Sequence, residues 1–310
     1  MNQGQRPRLK TDAESKRFYS AEFSVIAAKP VNCINNESIH AEKSDPLFWK
    51  EMPVIGLGTS RVFDIEPSRN ELNIRKEILD IFYKNGGRLI DTSPMYGMAE
   101  EIIGMSAEEY IQKNRFFLAT KVWTEGKENG IRQIEESFQK MKANKISLIQ
   151  VHNLLDWKTQ IKTLRSLKDQ GRIDYIGITH YKSNAFDEMI KIMKAEKIDF
   201  AQFNYSLGER EAEQTILPFC KDKGIATLIN RPFMRGRLFK EAQNKKLPSW
   251  VVDYDIDSWG QFFLKYIISH DAVTNVIPAT SKSKNMLDNT RAGMGKMPDA
   301  GAKRRMLEIF

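Results

Sequence analysis

The stretch Gly86-Gly87-Arg88-Leu89-Ile90-Asp91-Thr92-Ser93-Pro94-Met95-Tyr96-Gly97 decides how the chain is read. Leu89-Ile90 is a short apolar run that ends on an acid, Asp91, and Thr92-Ser93-Pro94 then forces a turn. Tyr96-Gly97 follows on the loop, and helical patterning starts at Ala99. Upstream, Ile74, Ile78 and Phe82 recur at four-residue spacing, and Gly86-Gly87 is a fitting stop for that helix. Helix, strand, loop and helix in this order predict a parallel α/β protein. In such proteins chemistry collects at the C-terminal ends of the strands, which is where Asp91 falls.

The same rhythm repeats on both sides. Val54-Ile55-Gly56-Leu57-Gly58 is an apolar strand before the first helix. Further strands are predicted over residues 116–122, 147–152, 175–179, 200–204, 225–230 and 275–278. Between them run helical stripes: Ile131, Ile134, Phe138 and Met141, then Ile161, Leu164 and Leu167, then Phe186, Met189, Ile190 and Met193. A helix around 216–220 follows, and a polar insertion over 234–257 precedes a helix over 259–269. Eight strands, each followed by helical pattern over ~250 residues, have the size of a (β/α)8 barrel, a parallel eight-stranded TIM barrel. A doubly wound sheet is the structural alternative, but no GxGxxG turn follows the first strand. Residues 1–50 are polar and aperiodic and read as an irregular, partly disordered N-terminal extension. Phe18, Phe23 and Trp49 are its candidates for packing on the barrel, which is expected over 51–310.

Composition excludes several classes. The 48 Lys and Arg residues against 40 Asp and Glu give a net charge of +8. There is no long basic block of the kind a nucleic-acid binder carries, so no nucleic-acid partner is expected. The small positive excess favours an anionic ligand such as a phosphorylated cofactor. No run reaches the roughly 18 apolar residues of a membrane span, and Phe23 to Ala28 is too short for a signal sequence. The expectation is a cytoplasmic protein without a membrane partner. Cys33 and Cys220, with four histidines in the chain, show neither disulfide nor metal-ligand spacing, so no metal is expected. Oligomeric state has no signal here.

Asp91, Lys121 and His152 close three consecutive strands, and Tyr96 lies on the loop after the first of them. Singly, each has a bland reading: a turn former, a solvated lysine, a hydrogen-bonded core histidine, a loop anchor. A closed barrel brings all four to one mouth, and together they form a proton donor with its supports. A free phenol has a pKa of about 10. A nearby ammonium is expected to lower it, and a carboxylate keeps that ammonium charged. Histidine can orient a carbonyl oxygen by hydrogen bonding. Such a site protonates a small-molecule carbonyl substrate while hydride arrives from elsewhere. No side chain supplies hydride, so a nicotinamide cofactor is implied.

The sequence resembles the aldo-keto reductase superfamily from Pro53 to the C-terminus. The matching motifs are Gly56-Leu57-Gly58-Thr59, Leu89-Ile90-Asp91-Thr92-Ser93 with Tyr96-Gly97, Thr120-Lys121-Val122, and Ile149-Gln150-Val151-His152-Asn153. Gly171-Arg172-Ile173 with Tyr175-Ile176-Gly177-Ile178, Phe200-Ala201-Gln202-Phe203-Asn204-Tyr205-Ser206, and Val276-Ile277-Pro278-Ala279-Thr280-Ser281 complete the set. The resemblance implies reduction of an aldehyde or ketone, with Tyr96 as general acid, Lys121 and Asp91 tuning it, and His152 orienting the carbonyl. It implies NADP(H) as the preferred cofactor, with NAD(H) as the alternative. By position, Gly58, Thr59, Asp91, Thr179, His180, Gln202, Asn230, Arg231, Pro232 and Phe233 lie along that cofactor, Gln202 at its carboxamide. Ser281, Lys282, Asn285 and Asn289 fall in the segment that grips the adenosine end. Three departures stand out. Thr179-His180 replaces the usual Ser-Asn, Asn230-Arg231-Pro232-Phe233 replaces the usual aromatic stack after strand seven, and Asn285 stands where an arginine commonly holds the 2′-phosphate.

Two other functions fit parts of this pattern. Lys121 as a Schiff-base nucleophile would make the barrel a lyase, but leaves Tyr96 unused. A catalytically weak barrel that binds the cofactor as a sensor or subunit is the second, and the extension over 1–50 is the feature that favours it.

Overall fold

The computed structural model describes residues 52–310, so the expected extension over 1–50, with Phe18, Phe23 and Trp49, lies outside the described residues. The strands are β1 (Leu57–Gly58), β2 (Leu89–Asp91), β3 (Phe117–Val122), β4 (Ile146–His152), β5 (Ile173–Thr179), β6 (Phe200–Asn204), β7 (Ala226–Asn230) and β8 (Asn275–Val276). They form one eight-stranded sheet in the order β1 to β8, with all seven neighbouring pairs parallel. Parallel bridges Ile55–Val276 and Gly58–Ala279 join the last strand to the first, so the sheet curls into a (β/α)8 barrel. Gly58 is needed at this seam: a Cβ there would stand 2.7 Å from the carbonyl oxygen of Ile277.

The helices are α1 (Arg69–Lys84), α2 (Ala99–Ser106), α3 (Glu108–Gln112), α4 (Lys127–Lys140), α5 (Trp157–Asp169), α6 (Phe186–Ala195), α7 (Ile216–Lys223), α8 (Arg237–Ala242), α9 (Trp259–Ile268), α10 (Ser283–Arg291) and α11 (Ala300–Leu307). Local chemistry explains their limits. The Ser68 hydroxyl accepts from Glu71 N–H at 3.2 Å and caps α1, and Gly86 beyond its end has φ +88°. Ile78, Leu79 and Phe82 form its buried face.

Alternation along the strands sorts the core into two layers. Ile90, Leu118, Ile149, Val151, Ile176, Ile178, Phe203 and Ile229 belong to the apolar layer shared with helix residues such as Ile134, Phe138 and Leu164. Leu89, Phe117, Ala119, Leu148, Phe200, Ala226 and Leu228 form a separate cluster. These alternate with the first set along the strands and fill the barrel interior.

The structure adds to one expectation and corrects another. The polar insertion over 234–257 is ordered: Gly236, at φ +90°, turns the chain into α8, which buries Leu238 and Ala242 four residues apart. A 3-10 segment, Ser249–Tyr254, buries Val251 and Tyr254, and the buried Lys265 ammonium donates to the carbonyls of Tyr254, Met294 and Lys296. Ile131, expected on the buried stripe of α4, is exposed and borders a groove of about 490 Å³ between α4 and α5. It shares that groove with Glu135, the next residue on its own stripe of the helix.

Candidate active site

The strand ends meet at one mouth. Parallel register sets Lys121 beside Gln150, His152 beside Thr179, and Thr179 beside Gln202. Lys121 is fully buried, and its ammonium donates to Asp91 Oδ2 at 2.8 Å and to the Thr92 carbonyl at 2.7 Å. It also lies 5.0 Å from the centroid of the Tyr96 ring. Burial works to lower the Lys121 pKa, but Asp91 and Tyr96 outweigh it and hold the ammonium above its ordinary range. Asp91 Oδ1 accepts from Gln202 Nε2 at 2.7 Å and from Gln150 Nε2 at 3.2 Å, so both carboxylate oxygens are engaged. A buried ion pair needs such extra hydrogen bonds to offset its desolvation.

Tyr96 is half-buried on the loop before α2. Gly97 beside it has φ +57°, and a Cβ there would strike the Asp64 carboxylate, which accepts from Met98 N–H at 3.1 Å and orders this turn. Burial raises the Tyr96 phenol above its usual value, while Lys121, and more weakly Arg231, pull it down. This corrects the expected tuning: the ammonium opposes the effect of burial without overcoming it, so the phenol is fully protonated at neutral pH.

His152 stands edge-on to Tyr96, ring centroids 6.2 Å apart at 89°. Its pKa is lowered to about 3 by burial, then by the Lys121 charge and His180, so the imidazole is neutral. The Ser93 hydroxyl lies 3.3 Å from His152 Nδ1 and already accepts from Met95 N–H at 3.2 Å. When that hydroxyl donates its own proton to Nδ1, the hydrogen of His152 sits on Nε2. A protonated phenol and a neutral imidazole donor thus stand side by side above a fixed positive charge.

The other expected residues divide. Thr179 donates to Gln202 Oε1 at 3.2 Å, and Gln202 in turn holds Asp91, so both already belong to the buried network. Thr59 donates to the backbone carbonyl of Asp91 at 2.9 Å. His180 accepts from Lys182 N–H at Nδ1, and its ring stacks on Tyr181. The Arg231 guanidinium lies 4.1 Å over the same Tyr181 ring, and its backbone is left-handed, φ 51°, a strained conformation for arginine. Asn230 ends β7 with its Oδ1 buried and unpaired, and Pro232 is buried. Phe233 packs on Phe239 and Phe263, so its ring is held in the outer helical layer. Ser281, Lys282 and Asn285 are exposed around the start of α10, and Asn289 is buried one turn further on.

Two supports escaped the reading of the sequence. Gln150 was visible as a polar residue inside an apolar strand, two positions before His152 and therefore on the same face. Ser93 carried no signal that separated it from an ordinary turn residue.

A nicotinamide dinucleotide offers amide, hydroxyl and phosphate groups, and the mouth presents matching chemistry. Asn204 Oδ1 and Asn230 Oδ1 are buried acceptors without partners at the ends of β6 and β7. The cleft of about 390 Å³ that Asn204 lines also contains Arg231, Lys182 and Ser183. The start of α10 has no side-chain cap, leaving N–H groups free for a phosphate. The residues present fit the group. Among the described residues no helix is long and apolar enough to cross a membrane.

The profile of the Aldo/keto reductase family matches residues 54–304. Aldo-keto reductase YhdN of Bacillus subtilis is 30% identical over 199 residues, which span 59% of this chain and 59% of that protein's length. Glyoxal reductase of Bacillus subtilis is 26% identical over 77% of this chain and 82% of its own. Among solved structures, an aldo/keto reductase from Klebsiella pneumoniae in complex with NADP and acetate superposes with a TM-score of 0.72 at 20% identity, covering 84% of this chain and 92% of the other. A Bombyx mori aldo-keto reductase in complex with NADP gives 0.66 at 18% identity, covering 83% and 89%.

Proposed function

Because the chain belongs to the aldo/keto reductase family, an oxidoreductase family, we propose that it is a cytoplasmic NADPH-dependent reductase of small aldehydes or ketones. The observation that carries this reading is the buried Asp91–Lys121 pair with its ammonium 5.0 Å from the Tyr96 ring centroid, and neutral His152 edge-on to the same ring. Reduced nicotinamide, when bound, supplies the hydride. Tyr96 gives its proton to the carbonyl oxygen. The Lys121 ammonium stabilises the phenolate oxygen that remains, and Asp91 keeps that ammonium charged and in place. His152, through Nε2–H, holds the carbonyl oxygen toward the phenol. Thr179, His180, Gln202, Asn230 and Arg231 are the residues that would hold the nicotinamide half. Ser281, Lys282, Asn285 and Asn289 would hold the adenosine half, with Lys282 and Lys284 favouring the 2′-phosphate. NADP in complexes of the two solved neighbours and the name of the glyoxal reductase point the same way.

A Schiff-base lyase needs a neutral amine, whereas the Lys121 pKa is raised and its donors are engaged. The observations therefore favour the reductase.

Fluorescence titration with NADPH and NADH, followed by an aldehyde panel, tests the reading. NADPH should bind more tightly and support turnover. Tyr96→Phe should keep cofactor affinity and lose turnover by roughly 10²- to 10⁴-fold. Full activity in that variant would remove Tyr96 as the acid.

A further inference from the structure

We infer that Glu100 is a positioning residue that fixes the separation of Tyr96 and Lys121 from behind the barrel wall. The inference rests on the reading of Tyr96 as the acid. Glu100 is 1% exposed, in the first turn of α2, and its carboxylate joins three elements. Its Oε1 accepts from the Thr120 hydroxyl on β3 at 2.5 Å, and its Oε2 from the Ser137 hydroxyl on α4 at 3.1 Å.

Alternation along β3 gives these contacts their meaning. Lys121 turns into the mouth, so Thr120, its immediate neighbour, turns outward to the helical layer, where Glu100 meets it. On the other side Glu100 is tied closely to Tyr96. Ala99 N–H donates to the Tyr96 carbonyl at 3.1 Å and opens α2 directly on the loop that carries the phenol. One carboxylate thus grips the residue next to the ammonium and the helix turn next to the acid.

The close approach of α2 to the α4 end supports the clamp. Gly104, one turn after Glu100, lies so near α4 that a Cβ would stand 2.1 Å from the Lys140 carbonyl oxygen. Burial raises the Glu100 pKa against the lowering by its two hydroxyl partners. An acid retained in so dry a place requires both hydroxyls to satisfy it.

The ammonium lies 5.0 Å from the Tyr96 ring centroid and acts on the phenol only at such short range, so a small slip of α2 along β3 separates them without touching the cofactor. The Glu100 links to Thr120 and to Ser137 are therefore unequal. The first sets reaction geometry, and the second anchors α4.

The test uses the full chain and the best aldehyde from the panel, measuring kcat, KM, NADPH affinity and Tm. Glu100→Ala and Thr120→Val should lower kcat by on the order of ten- to a hundred-fold at nearly unchanged NADPH affinity, as a misplaced catalytic group does. Glu100→Gln, which keeps an acceptor for Thr120 and can donate to Ser137, should restore most of kcat. Ser137→Ala should lower Tm and leave kcat near that of the parent. Should Glu100→Ala fail to fold, Thr120→Val decides the matter alone. The inference is overturned if Thr120→Val lowers Tm but keeps the kcat of folded enzyme, or if Glu100→Gln is as slow as Glu100→Ala. A parent enzyme that reduces no carbonyl, or a fully active Tyr96→Phe, overturns the reading beneath it. An active parent with a slow Tyr96→Phe and a normal Thr120→Val overturns the positioning role alone.

Discussion

The lower interior of the barrel is filled by Leu89, Phe117, Leu148 and Phe200, whereas two residues further along β2 stands Asp91, and two further along β4 and β6 stand Gln150 and Gln202. Lys121 is two residues past Ala119 on β3. The same strands thus line an apolar plug and, directly above it, a dry network of charges and amides. The plug is held by area and shape, and each fully buried large side chain contributes about 1.5–3 kcal/mol. The network is held by direction: Lys121 donates to Asp91 and Thr92, and Asp91 accepts from two amides. A plug of this kind tolerates changes that conserve volume. The upper layer tolerates no missing partner, because an unpaired buried charge has nothing to offset its desolvation.

The sharpest way to break the contrast is Lys121→Met, which leaves Asp91 buried without its cation. Stability should fall by roughly 3–5 kcal/mol, seen in urea unfolding. Turnover should fall by at least about a hundred-fold, because the phenolate loses its partner. Phe200→Ala probes the layer below. It should also cost about 3–5 kcal/mol, through lost burial and a cavity, yet leave the kcat of folded protein close to that of the parent. Equal losses of turnover in the two variants would erase the distinction between the layers.

The smallest effect concerns pH. The folded-state pKa of His152 is lowered from 6.5 to about 3, so between those values the unfolded chain takes up a proton that the folded chain refuses. Its contribution to stability is complete above about pH 6.5 and is lost as pH falls toward 3. Tm should drop modestly from pH 7 to 5, and His152→Gln should flatten that part of the curve.

Eight strands were legible because each is a compact apolar run, and their ends moved by only a few residues in the structure. Val54 to Gly58 marked the first strand, although only Leu57–Gly58 pairs in regular register with its neighbour. The insertion over 234–257 was less legible, since its buried residues are scattered among charged and polar ones without a sustained period. At the mouth, Asp91, Lys121 and His152 could be placed at strand ends, and the structure brings them to one place with Tyr96. Phe233 could not be placed, because its partners, Phe239 and Phe263, come from later helices. The direction of the Tyr96 shift was equally hidden, since it depends on how burial compares with one nearby charge.

The sequence alone determined which strands exist, that they run parallel, and which residue types stand at their C-terminal ends, because these follow from period and local turn chemistry. Only the tertiary structure decided that Asp91 is shared between Lys121 and two glutamines, that His152 is neutral, and that Glu100 reaches Thr120 and Ser137. Those outcomes depend on distances between side chains far apart in the chain and on the exclusion of water around them, and no local pattern encodes either.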